Sequence, residues 1–97
     1  MGLEVMVPRP GTVSLPLLVE RLAGAGLAST VAMVDNVLQG PGATPPPAWR
    51  DVRLRTPAGM IALRCVQGGI AVLVFGNADG PLQAAQRTVA EALGGLP

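Results

Sequence analysis

Three observations predict an α+β fold in which an antiparallel sheet carries two helices on one face. First, residues 51–55, 60–67 and 70–75 read as the strands of two consecutive β-hairpins, with Thr56-Pro-Ala-Gly59 and Gly68-Gly69 as their turns. Second, Leu15, Leu18, Val19 and Leu22, and later Leu82, Ala85, Val89 and Leu93, repeat at helical spacing. Third, the strands carry apolar residues on both faces, whereas helices on one side of a sheet cover only one of them.

Taken in chain order, Leu3, Val5 and Val7 alternate with Glu4 and Met6 to give a first strand, which Pro8 and Pro10 end. Ser14 suits the N-cap of the first helix and Pro16 its first turn; Gly24 and Gly26 stop it. Residues 30–39 are β-rich, with Asp35-Asn36 marking a bulge or turn partway along. The Pro/Gly-rich segment 40–48 is a stiff crossing of polyproline character. Asp79 stands near the start of the last helix, in which Gln83, Arg87 and Glu91 face outward, and Gly94-Gly95 is its expected stop. The order is β-α-β-β-β-β-α in one domain, 1–97.

Pairing the strands through those turns sets Arg55 opposite Met60, Leu54 opposite Ile61, Arg53 opposite Ala62, Val52 opposite Leu63 and Asp51 opposite Arg64. In the second hairpin Cys65 is set opposite Val72, Leu63 opposite Val74 and Ala62 opposite Phe75. One face then holds Val52, Leu54, Ile61, Leu63, Cys65, Val72 and Val74, ready for the helices. The other holds Met60, Ala62, Val66, Ala71, Leu73 and Phe75, flanked by Arg53, Arg55 and Arg64. A one-residue slip would move the arginines under the helices, so the register is strongly specified.

The element order, β-α followed by four strands and a helix, resembles that of the TATA-binding-protein-like fold. The resemblance is one of topology over the whole chain, and the TATA-binding protein itself joins two such units into its saddle. The last three strands and helix also look like the profilin-like roadblock domains, which are small dimeric scaffolds. In those domains a helix precedes the strands, whereas here a strand comes first. A ferredoxin-like arrangement is a further α+β alternative. Fold resemblance implies no shared activity.

Composition argues against several functions. The chain has 97 residues, no His, no Tyr and one Cys, so the commonest general base and the usual zinc ligands are missing. Glu4, Glu20, Asp35, Asp51, Asp79 and Glu91 are scattered along the sequence with no motif spacing. No catalytic residue, metal or cofactor is expected. Cys65 is expected under the helices as an inert thiol, and a single cysteine suits a reducing, cytoplasmic setting. Met1-Gly2-Leu3-Glu4 lacks the pattern of a secretory signal, and no apolar run is long enough to span a bilayer.

The loops 8–12 and 76–81 precede helices and could offer backbone N–H groups to an anion, although neither matches a phosphate-binding motif. The arginines at 50, 53, 55 and 64 form the one charge cluster, but the formal net charge is only +1. Single-strand binding on a sheet also wants several exposed aromatics, and the chain offers only Phe75 and Trp49. The expected function is therefore a non-enzymatic protein-interaction module, a homodimer joined across the second apolar face. Nucleic-acid binding through Arg50, Arg53, Arg55 and Arg64 is the alternative, and a small-ligand regulatory module is a third. The same face would be hidden without a partner if segment 40–48 and Trp49 folded over it.

Overall fold

The computed structural model describes residues 3–9, 12–40, 42–75 and 79–96. They form six strands and two helices: β1 (Leu3–Val7), α1 (Leu15–Gly24), β2 (Thr30–Val34), β3 (Val37–Leu38), β4 (Asp51–Thr56), β5 (Gly59–Val66), β6 (Gly69–Val74) and α2 (Gly80–Gly95). All pairings are antiparallel, and the strand order across the sheet is β1-β6-β5-β4-β2-β3. This is the expected α+β architecture with one strand more than the sequence suggested. The extra strand arises because Asp35 and Asn36 both take positive φ, at 49° and 67°, and close a two-residue hairpin within the segment 30–39. Asp and Asn tolerate that conformation better than other residues with a Cβ, and it matches the twist of paired strands.

The helices begin and end for local reasons. The Ser14 hydroxyl accepts the Leu17 N–H and the Asp79 carboxylate accepts the Leu82 N–H, so each helix has a side-chain N-cap. At the end of α1, Gly26 (φ +85°) donates to the Ala23 carbonyl and Leu27 to that of Leu22, a Schellman arrangement. Helix α2 runs on through Gly94 and Gly95 rather than stopping before them. There Arg9 supplies what the glycines do not: its Nη1 donates to the carbonyls of Leu93 at 2.6 Å and Leu96 at 2.9 Å. A cation at a helix C-terminus also suits the helix dipole. This turns Arg9 toward α2 and away from any anion at loop 8–12, of which Pro10 and Gly11 lie outside the described residues.

The core lies between the helices and one sheet face. Leu15, Leu18 and Leu22 of α1, and Ala85, Val89 and Leu93 of α2, meet Val52, Leu54, Ile61, Leu63, Val72 and Val74. Gln86 is buried among them and was not anticipated from the helical periodicity. Its side-chain amide donates to the carbonyls of Leu3 and Val72, at 3.2 and 2.9 Å, tying α2 to β1 and β6. A buried amide is tolerated when its hydrogens are bonded in this way.

The first hairpin keeps every expected pair, from Asp51 with Arg64 to Arg55 with Met60. The Thr56 hydroxyl closes its turn by donating to the Gly59 carbonyl at 2.7 Å while accepting the N–H groups of Ala58 and Gly59. The second hairpin corrects the expectation. Ala62 pairs with Leu73, Leu63 with Val72 and Cys65 with Ile70, a shift of two residues that makes Gln67-Gly68 the turn. The cause is Gly69. A Cβ there would stand 2.3 Å from the Val7 carbonyl oxygen, so Gly69 has to be a strand residue where β1 closes in, and Gly68 takes the turn with φ +85°. A shift of two residues preserves the faces of the sheet.

Gly69→Ala is expected to destabilise the protein by about 1–3 kcal/mol, because backbone rather than a flexible side chain must give way. Gly68→Ala meets no neighbour within 4 Å and strains only its own positive φ, so about 1–2 kcal/mol is expected. Urea midpoints of the two variants measure both effects, and amide exchange along β1 should rise in the Gly69 variant alone.

Candidate functional site: the open face of the sheet

Three rows of side chains cross the face away from the helices. The strand registers align Glu4, Leu73, Ala62, Arg53, Met33 and Leu38 in the middle row. Met6, Ala71, Arg64 and Asp51 form the row on one side, and Met60, Arg55 and Thr30 that on the other. These rows bring together all but two of the expected interface residues. Val66 continues the alternation of β5 beyond Arg64, and Phe75 follows the end of β6.

Large and small side chains differ sharply in exposure there. Ala62 is 1% and Ala71 2% exposed, hidden by taller neighbours, and Leu73 is half-buried. Met6 (48%), Met60 (42%) and Phe75 (49%) stand out into solvent, with Val66 exposed beside them. The expected face therefore exists, but its alanines form the floor, and Phe75 with the methionines forms the relief. Met6 was not among the residues picked out from the sequence; pairing of β1 with β6, which no local pattern announces, puts it opposite Ala71.

The arginines are engaged with this face itself. Asp51 Oδ1 lies 3.1 Å from Arg53 Nε and Asp51 Oδ2 lies 3.2 Å from Arg64 Nε, so one carboxylate serves both cations. Arg53 also lies over the Phe75 ring, its guanidinium carbon 5.3 Å from the centroid. Arg55 and Arg50 are exposed. Two of the four arginines are thus partly neutralised by Asp51, which weakens a phosphate track.

Trp49 does not cover the open face. It is buried in the core on the helix side, and its indole N–H donates to the Val13 carbonyl at 3.2 Å. The Thr12 hydroxyl donates to the Pro47 carbonyl, so the end of the Pro-rich segment is fastened at the start of α1. That also removes Trp49 as a stacking platform. Among the described residues, no group of three metal-binding side chains gathers. Asp79 caps α2, while Gly76, Asn77 and Ala78 of the second anion-loop candidate lie outside the described residues.

Cys65 departs from expectation in its burial. It faces the helix side but is only half-buried, with its thiol directed to the Trp49 carbonyl at 3.3 Å. Desolvation, and secondarily the negative charge of Asp35, pushes the thiol above its ordinary pKa. Asp35 in turn accepts the N–H groups of Asp51 and Arg50, at 2.9 and 2.8 Å, and these bonds hold its carboxyl below the usual carboxylate range. The hairpin β2–β3 is thereby clamped to the start of β4.

No family model matches this chain, and neither a curated protein nor a solved structure was found to resemble it. No helix among the described residues is long and apolar enough to cross a membrane.

Two outcomes follow from the Cys65–Asp35 corner. Thiol labelling of the native protein is expected to be several-fold slower than of the urea-unfolded chain at the same pH, because the thiolate is disfavoured and its sulfur half-covered. The Asp35 contribution to stability is expected to be complete above the unfolded aspartate pKa and to vanish as pH falls through the lower folded value. Comparing urea midpoints of the wild type and Asp35→Asn between neutral pH and pH ~2 tests this linkage: their difference should shrink on acidification.

Proposed function

We propose that this protein is a non-enzymatic interaction module that self-associates, most simply as a twofold dimer, through the open face of its sheet. The carrying observation is the solvent exposure of Met6, Met60 and Phe75 around a floor of Ala62, Ala71 and Leu73. Contiguous apolar relief of this kind is uncommon on monomers, and a twofold contact is the commonest way to remove it from water. With one half-buried cysteine bearing a raised pKa, the protein suits a reducing compartment such as the cytoplasm.

The rows support a particular docking geometry. A twofold axis parallel to the strands, between β5 and β6, reverses each row on itself. Leu73 of one copy then meets Ala62 of the other, large against small. Phe75 approaches Met60, a sulfur–aromatic contact. Glu4, exposed at the β1 end of the middle row, approaches Arg53 of the second copy. The shared Asp51 counterion favours association over a phosphate track.

Sedimentation equilibrium at ~100 μM is expected to give twice the chain mass, and Leu73→Asp is expected to give soluble monomers with unchanged circular dichroism. Monomeric wild type at that concentration would dismiss the dimer. Tight oligonucleotide binding that collapses with salt and is lost in Arg53→Ala/Arg55→Ala would replace it with the nucleic-acid function.

A further inference from the structure

Beside the β2–β3 end of the sheet, α1 and the Pro/Gly-rich segment border a cleft of about 750 Å³, within the range of small-molecule sites. Leu15 and Val19 of α1, Val31 of β2, Leu38 of β3 and Ala43 of the Pro/Gly-rich segment line it. Most of the lining is aliphatic, interrupted by Ser29, Thr30 and Gln39. No aromatic ring is among the described residues that line it, so nothing there stacks a nucleobase or another flat ring.

Arg55 is the one charged residue on that lining. It pairs with Thr30 across the β2–β4 ladder, which sets it at the side of the cleft nearest the open face. Arg53 and Arg64 share Asp51, but no carboxylate among the described residues is paired with Arg55. An unpaired guanidinium beside an aliphatic trough is complementary to a flexible hydrocarbon chain that ends in an anion. Leu38, 77% exposed although it lines the cleft, presents apolar surface that such a chain would cover. An added peptide strand fits less well, because the Ala32 carbonyl on this edge already accepts the Gln39 N–H at 2.9 Å.

We propose that the cleft between α1, β2 and the Pro/Gly-rich segment binds a medium-chain aliphatic carboxylate, its chain along Val19, Val31 and Leu38 and its head group on Arg55. The site meets the open face only at its margin, through Thr30, Leu38 and Arg55, and goes beyond the function proposed above.

Titrating decanoate, below its micelle concentration, into the ¹⁵N-labelled full chain tests the site. Saturable amide shifts are expected at Thr30, Val31, Gln39 and Gly42. Arg55→Gln should weaken binding by about tenfold or more, since a charge-assisted contact is lost. Val19→Phe, which fills the trough without touching the arginine, should abolish it, and decyltrimethylammonium should bind more weakly than decanoate. The proposal is overturned if no saturable shift occurs or if the shifts fall on Met60, Leu73 and Phe75 instead. Equal affinity of the cationic amphiphile, or of folded Arg55→Gln, overturns it as well.

Discussion

Thr56 bonds both ends of the β4–β5 turn through one hydroxyl, and the register closed there decides which side chains go under the helices. Val52, Leu54, Ile61 and Leu63 become core, while Arg53, Arg55, Met60 and Arg64 are turned outward. Side chains alternate along a strand, so no intermediate arrangement exists. A slip of β4 by one residue would put the guanidinium groups of Arg53 and Arg55 into a dry interior at a cost of several kcal/mol each, far beyond what a hairpin contributes. The rest of the sheet inherits this alternation, and with it the composition of the open face.

Around that hairpin the fold is held by polar contacts from distant parts of the chain. Arg9 seals the carbonyl end of α2, Gln86 ties α2 to β1 and β6, and Trp49 ties the end of the Pro-rich segment to the start of α1. Asp35 gathers the backbone of Arg50 and Asp51. Each bond meets a donor or acceptor at a place where helices or strands run out of partners of their own. The consequence for function is spatial. The Pro-rich segment is anchored on the helix side, where it leaves the open face clear and borders the cleft at the β2–β3 end of the sheet.

Charge on the open face is similarly arranged for apolar contact. Asp51 offsets Arg53 and Arg64 together, and Arg53 lies over Phe75, so polar and apolar groups share one surface without a strong field. Such a surface resembles the mixed relief of protein interfaces more than the continuous cationic groove of a nucleic-acid binder. Arg55 is outside this network, which is why it is available to the cleft.

Local pattern was enough for much of this molecule. Alternation in residues 51–66, helical spacing of Leu15, Leu18 and Leu22, and the cap Ser14 all act between near neighbours, and each appears in the structure as read; Asp79, read only as near the start of α2, proves to be its cap. Both faces of the sheet were also legible, because parity survives a two-residue shift. Long-range approach decided the remainder. Position 69 has to be a glycine because Val7, 62 positions earlier in the chain, comes too close for a Cβ once β1 pairs with β6, a fact absent from the local Gly-Gly pattern. Arg9 and Trp49 look in sequence like a loop cation and a spare aromatic, and Gln86 carries no local signal of burial. Each takes its place from a backbone carbonyl in an element far along the chain, and only the packed tertiary structure brings those carbonyls within reach.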